Sequence, residues 1–348
     1  MTMTERFRHR RTALVSAIGR PVFLMGNGWR PRNLPMSSLP FRQDSTFLYF
    51  TGISEPDYAV YIETDGTTTL FGFSPPADDA LWHGVSPSLG ETTLIHGMQH
   101  AFDLNEVDTF PFSRNTASIA VPDFQKTEKL NSILKKKYTF GSEYGDPELV
   151  EQIIRMRRVK DNWELSEMQR AADHSVSAHL AVMGATKPGV HERELAALFQ
   201  GVLGAKGCAL GYPTILTVHG DILHQFRHEN VLNNGDLLLI DGGGEVNTGY
   251  GVDITRTYPV GGRFTSRQRA VYDAVLEAQR QAIALCTPGT PYRTVHDTAS
   301  RVIAQFLRDE SLISCSVDDA VALGVHALFF PHGVGHHLGM DVHDMENF

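Results

Sequence analysis

Leu237-Leu238-Leu239-Ile240-Asp241-Gly242-Gly243-Gly244-Glu245-Val246-Asn247-Thr248-Gly249-Tyr250-Gly251-Val252-Asp253-Ile254-Thr255-Arg256-Thr257 decides how this chain is read. Four apolar residues end on a carboxylate, glycine-rich turn chemistry follows, and a second carboxylate opens a returning strand. The apolar run predicts a strand buried on both faces. If the two strands pair, Asp241 and Asp253 face each other across the ladder. Apposed carboxylates repel, so one of them holds a proton unless a cation lies between them. A divalent ion bound by oxygen ligands, Mn²⁺ or a similar metal, resolves the conflict. The bland alternative is a glycine-rich turn with two exposed aspartates.

A second cluster lies about ninety residues downstream, His332-Gly333-Val334-Gly335-His336-His337-Leu338-Gly339-Met340-Asp341-Val342-His343-Asp344. Imidazole is the commonest neutral metal ligand and the usual acid or base near pH 7. Gly333 and Gly335 argue against a helix, which excludes the paired histidines of a zincin helix. The run instead predicts a strand or loop whose backbone closely approaches a site. Between the first strand and the carboxylate hairpin, Ile222-Leu223-His224-Gln225-Phe226 offers a further imidazole, expected within reach of the same pocket.

Composition narrows the function classes. The chain has 348 residues, 42% hydrophobic and 20% charged, enough for two domains with sizeable cores. A net charge of −9 gives no footprint for nucleic acid or an anionic membrane. The short basic runs Lys135-Lys136-Lys137 and Arg155 to Lys160 read as solvated faces. Three dispersed cysteines, Cys208, Cys286 and Cys315, form neither a disulfide framework nor a thiolate metal site. The polar, basic N-terminus lacks the apolar stretch of a secretory signal, and no apolar run approaches eighteen residues. The expected location is the cytoplasm.

Periodicity divides the chain near Gly141 to Pro147, giving an α/β domain over 1–145 and a second domain over 146–348. In the first, Phe7, Leu14 and Ile18 mark a helical stripe, and Val22 to Met25 a strand. Tyr58 to Glu63 and Thr67 to Phe73 flank an Asp65-Gly66 hairpin turn, and Ser118 to Val121 is a buried strand. In the second, Leu165, Met168, Ala172, Val176, Leu180 and Met183 predict the inward face of a helix, with His174 and His179 at surface or groove positions. Glu192 to Leu203 forms the next helix, with Leu195, Leu198, Phe199 and Val202 inward, and a strand follows at Thr214 to Val218. Thr265-Ser266-Arg267-Gln268 opens a third helix with a capping box, and Tyr292 to Leu307 forms a fourth. The order helix, Pro-Gly, helix occurs twice, at Pro188-Gly189 and Pro288-Gly289, and suggests two related halves.

Taken together, these residues resemble the pita-bread metallopeptidases, the group of methionine aminopeptidase, prolidase and aminopeptidase P. The likeness is strongest to the aminopeptidase P family, Xaa-Pro aminopeptidases, over nearly the whole chain. It is carried by Pro40 to Gly52 with Glu55-Pro56, by Leu81-Trp82-His83-Gly84, by His224, by Asp241 with Asp253-Ile254-Thr255-Arg256, and by His332 to Asp344. The resemblance implies an α/β (α+β) chain, a mixed N-terminal domain followed by a pita-bread domain. It implies that Asp241, Asp253 and His336 are metal ligands at a site for two divalent ions, Mn²⁺ with Co²⁺, Zn²⁺ or Fe²⁺ as substitutes. His224, His332 and His343 become catalytic groups that position substrate and stabilise the developing oxyanion. The implied reaction is attack of a metal-bridging hydroxide on the bond between an N-terminal residue and a following proline. Trp82 resembles a substrate-binding residue that reaches a neighbouring subunit's site, which implies a homodimer or tetramer. The expected partner is a peptide with proline in second position, with no nucleic acid and no membrane.

Two departures from the family pattern stand out. The spacing from Asp241 to Asp253 is one residue longer, with the extra residue between Glu245 and Tyr250. The family also completes its site with two glutamates on strands beyond the histidine motif, and this chain stops at Phe348 before either. The expectation is a pita-bread domain truncated at its C-terminal strands, active once that segment is supplied. The rival readings are a catalytically inactive peptide-binding module on the same fold and a metal-free, creatinase-like hydrolase. Retention of the aspartate pair argues against both.

Overall fold

Thr2 caps the first helix, α1 (Met3–Ile18), through a box with Glu5, and Gly19 ends it in the left-handed region at φ 65°. The structure, a computed structural model, describes residues 1–34, 36–76 and 78–345. The chain divides into two compact units. The first is Met1–Met168 with Val246–Tyr250 and Gly339–Phe348, and the second is Gln169–Glu245 with Gly251–Leu338.

In the first unit, β1 (Val22–Met25), α2 (Ser45–Thr51), β2 (Ala59–Ile62), β3 (Thr68–Gly72), α3 (Asp79–His83), α4 (Leu89–Ile95), β4 (His100–Asp103), β5 (Ala117–Ser118), α5 (Phe124–Leu134) and α6 (Pro147–Arg158) follow in order. The strands form one mixed sheet, β4-β3-β2-β1-β5. Neighbours β1, β2 and β3 run antiparallel, and each outer strand runs parallel to its partner. The expected hairpin turn is present, with Gly66 at φ 91° and the Asp65 carboxylate accepting from Thr67 N–H. Phe23, Tyr61 and Phe71 pack edge-on against Phe110 and Phe112, and this aromatic cluster is the centre of the core. The strand expected over Ser118 to Val121 shortens to Ala117–Ser118, after which Ile119 makes a single bridge to Gly145.

Charge is buried here at specific points. Arg11 donates to the carbonyls of Phe50 at 2.9 Å, Gly97 at 2.9 Å and His96 at 3.1 Å, satisfying the ends of α2 and α4. Arg157 interrupts the basic run that reads as a solvated face. It is buried and pairs with the buried Asp344 and, at 2.8 Å, with the partly exposed Asp341. Ser45 donates to the same Asp341 at 2.6 Å. These contacts, with α6 packing on α1, carry the first unit past residue 145, where the sequence places a domain boundary. The tip of the carboxylate hairpin also belongs here. Tyr250 donates to Glu164 at 2.6 Å, and Arg10, lying over the Tyr49 ring, pairs with that carboxylate at 3.1 Å.

α7 (Asn162–Ala185) precedes the elements of the second unit: α8 (Glu192–Ala205), β6 (Ala209–Leu210), β7 (Ile215–Thr217), β8 (Leu237–Asp241), β9 (Gly244–Glu245), β10 (Thr255–Pro259), α9 (Ser266–Ala284), α10 (Tyr292–Asp309) and α11 (Val317–Ala322). β8 lies between β7 and β10 in an antiparallel sheet, and β6 pairs with β9. Two expectations change. Leu238 and Ile240 are fully buried but Leu237 and Leu239 only half, so β8 is buried on one face rather than both. On α7 the larger residues Leu165, Val176, Leu180 and Met183 are exposed, and the buried face is Ala171, Ser175, Ala178, His179 and Val182. On that face Ser175 and His179 bond to the backbone of Gly244 and Gly242, and the His179 ring packs edge-on against Phe199. Leu195, Phe199 and Leu203 bury the inner face of α8, whereas Leu198 and Val202 are half-buried. Thr265 caps α9 with Gln268 as its spacing predicts.

Candidate metal centre

Asp241 ends β8, paired with Ile215 of β7 on one side and Thr255 of β10 on the other. Alternation along β8 puts Leu238 and Ile240 in the core and Asp241 on the half-open face with Leu237 and Leu239. Asp253 stands two residues before Thr255. It therefore shares Asp241's face but is its diagonal neighbour, not its direct opposite as the sequence reading has it. Tyr212 fills the diagonal gap. Its hydroxyl lies 2.5 Å from Asp241 Oδ1 and 2.7 Å from Asp253 Oδ1.

A phenol has one proton to donate, so two short O···O contacts to two carboxylates need a second proton or a cation. Burial, reinforced by the charge of Asp253, pushes the Asp241 carboxyl up to about 6 against the pull of the Tyr212 hydrogen bond. Burial and both carboxylates drive the Tyr212 hydroxyl far above its ordinary range, so it remains a donor. His336 completes the group. Its Nδ1 is 2.8 Å from the His337 carbonyl, which can only accept, so Nδ1 carries the hydrogen. Its Nε2 stands 3.2 Å from Asp253 Oδ2. In the neutral ring that nitrogen presents a lone pair to a carboxylate, an arrangement a bound cation turns from repulsive to favourable. A backbone carbonyl on the far nitrogen is the usual support of a metal-ligating imidazole. The chemistry of the donors, two carboxylates and an imidazole, suits a divalent ion, although among the described residues no three or more His, Cys, Asp or Glu stand where together they could hold one.

α7 holds this hairpin by its backbone. Ser175 Oγ accepts from Gly244 N–H at 2.9 Å, and His179 Nε2 donates to the Gly242 carbonyl at 2.9 Å. His179 is therefore a buried structural residue, not the surface or groove residue that its position suggests, and burial holds its ring below the ordinary imidazole range. A side chain on Gly243 would overlap the carbonyl oxygen of Val252, and one on Gly242 would meet the Phe199 ring at 2.7 Å. The two strands cross too closely for any residue but glycine.

The structure brings Asp241, Asp253 and His336 together in the second unit. His332 and His224 lie in that unit too. His332 packs edge-on against Phe330, with Nδ1 donating to its neighbour's carbonyl, and Tyr292 closes on Gly335 nearby. His224 stands on the loop between β7 and β8, its ring parallel to that of Phe226 at 6.0 Å. His343 and Trp82 belong to the first unit. The former lies between Asp341 and Asp344, the two partners of Arg157, and the latter is exposed on α3. Sequence reasoning missed Tyr212 and Ser175 and misplaced His179. An aromatic residue beside Pro213 at the mouth of a strand is the one trace of Tyr212 in the sequence.

Comparison with known proteins gives a consistent picture. The model of metallopeptidase family M24 matches residues 166–348, and that of the aminopeptidase P N-terminal domain matches 7–118. Xaa-Pro aminopeptidase 2 of Streptomyces coelicolor is 33% identical over 317 residues, covering 88% of this chain and 67% of that protein. Xaa-Pro aminopeptidase 3 of Homo sapiens is 30% identical over 346 residues, covering 95% and 66%. Among solved structures, the low-pH form of aminopeptidase P from E. coli superposes with a TM-score of 0.89 at 29% identity, over 100% of this chain and 83% of that one. Aminopeptidase PepP of Pseudomonas aeruginosa gives 0.89 at 27%, over 99% and 81%.

Proposed function

Because this chain belongs to metallopeptidase family M24, with the aminopeptidase P type of N-terminal domain ahead of it, we propose that it removes an N-terminal residue that precedes proline. The relatives' names support the substrate class, and the superposition supports a pita-bread fold for the second domain. The observation that carries the metal reading is the proton deficit at Asp241, Asp253 and Tyr212 with an imidazole nitrogen beside it.

Asp241, Asp253 and His336 are the residues that would hold the metal, and an oxygen-rich donor set favours Mn²⁺ over Zn²⁺. When bound, such ions make a hydroxide available at neutral pH and polarise the scissile carbonyl. The remaining ligands are the glutamates that the family carries on later strands, and activity is proposed for the chain that includes them. Tyr212 orients both carboxylates by its hydrogen bonds. His224, His332 and His343 are assigned to positioning the substrate and stabilising the negative charge that develops on its carbonyl oxygen. Recognition of proline calls for a shaped apolar wall rather than a charge. Trp82, exposed on α3, is assigned to substrate contact in a neighbouring copy of a homodimer or tetramer. No helix among the described residues is long and apolar enough to cross a membrane, and a cytoplasmic location is part of the proposal.

Metal content and hydrolysis of an Xaa-Pro dipeptide, with and without added Mn²⁺, test the reading. Mn²⁺-dependent release of the first residue from Ala-Pro but not Ala-Ala supports it. Peptide binding without any metal uptake would leave the inactive peptide-binding module in its place.

A further inference from the structure

Glu192 lies at the start of α8, fully buried, and takes no part in the metal centre. Its carboxylate reaches into the two mouths of the loop that follows β7. Oε1 accepts from Val218 N–H at 2.8 Å, where the loop begins. Oε2 accepts from Asn230 N–H at 3.1 Å, where it ends, and the Asn230 amide donates to both oxygens at 3.0 Å. The Glu192 N–H returns the contact, donating to the Asn230 carbonyl at 3.0 Å. One side chain therefore closes a segment of about a dozen residues into a ring. Next to it, His191 bridges to Val231 and Leu232 N–H donates to the Val190 carbonyl, so the clamp continues a strand-like contact.

The ring it closes carries His224. Most of the loop is exposed, including Ile222, Leu223 and Phe226, and within it His228 bonds back to the Thr214 carbonyl at 3.1 Å. A loop so poor in buried surface takes its shape from its anchors. We propose that Glu192 is a positioning residue: it fixes both ends of the 218–230 loop and so sets where the His224 imidazole stands. The functional weight of that position rests on the substrate role given to His224 above. The carboxylate is needed because it faces only donors. In Glu192→Gln one acceptor oxygen becomes an NH₂ that confronts a backbone or amide N–H, and one mouth of the loop opens while the helix and core keep their packing.

Two readouts separate the clamp from the substrate reading. Native-state trypsin cleavage after Arg227, inside the loop, should accelerate at least tenfold in Glu192→Gln. The His224 Cε1–H resonance, assigned by its loss in His224→Gln, should move toward the position of an unstructured histidine. Far-ultraviolet circular dichroism and the thermal midpoint of the same variant report that the unit remains folded. Unchanged cleavage with an unmoved His224 resonance overturns the proposal. In the Mn²⁺-loaded enzyme, KM for Ala-Pro should rise about fivefold or more, and Glu192→Gln should add nothing further in a His224→Ala background. A loosened loop with unaltered Ala-Pro kinetics keeps the clamp but removes His224 from the substrate site. An additional loss in the His224→Ala background overturns the claim that Glu192 acts through that histidine.

Discussion

Proton and metal compete for Asp241, and the competition has a calculable size. The carboxyl titrates near 6 because burial and the neighbouring Asp253 charge disfavour its ionised form. Its pKa is raised, so the proton is held below about 6 and must leave before an ion binds. Mn²⁺ affinity should thus rise with pH through that range and level off above about 7. With one proton to displace at a pKa of about 6, the dissociation constant at pH 5 is roughly tenfold weaker than at pH 7.5, or ~1.4 kcal/mol. Isothermal titration in buffers of different ionisation enthalpy reads both the affinity and the proton released, which should fall from about one per ion at pH 5 toward zero at 7.5. Tyr212→Phe sharpens the test. A hydrogen bond to a carboxylate is worth ~1.5–3 kcal/mol when buried. Because this carboxylate is more than a third solvated, about half of that survives, or roughly one pKa unit. The variant's affinity should begin to fall near pH 7 rather than 6. An affinity independent of pH, or a Tyr212→Phe profile that superimposes on the parent, would refute the shared-proton geometry.

Other expectations follow from single contacts. His336→Ala removes a ligand and should weaken Mn²⁺ binding more than tenfold at pH 7.5, by the same titration. Arg11→Met strands three carbonyls at the ends of α2 and α4 and should lower stability by about 3 kcal/mol in urea denaturation. Asp44, a fully buried helix cap, is pushed up to about 6 mainly by burial. Its folded pKa lies above the unfolded one, so stability falls as pH rises from about 4 to above 6, by up to about 3 kcal/mol. Asp44→Asn keeps the cap and should flatten that part of the stability profile.

Much of this was legible in the residues, for identifiable reasons. The carboxylates and histidines cluster in sequence because a strand end and a glycine-rich loop place them, and such placement is local. The helix cap at Thr265 is local for the same reason. What escaped depends on contacts between distant segments. Tyr212 acts at Asp253, which is forty-one residues away. The exposed stripe of α7 was misread because periodicity reports where large apolar residues fall, not which face meets backbone. Alternation in β8 was hidden because all four of its apolar residues look alike, yet only Leu238 and Ile240 enter the core. Arg157 looked solvated among its basic neighbours because nothing in the run announces Asp341 and Asp344, nearly two hundred positions later.

The close approach of Gly243 to Val252 bears on how the hairpin tolerates change in length. Both aspartates lie on the strand side of, or at, that crossing, whereas residues 244–251 lie distal to it. An insertion in the distal arc alters the arc and leaves the spacing of Asp241 and Asp253 to the crossing itself. A residue added between Glu245 and Tyr250 falls in that arc, so such a lengthening leaves the acids where the crossing holds them, provided that position 243 stays glycine.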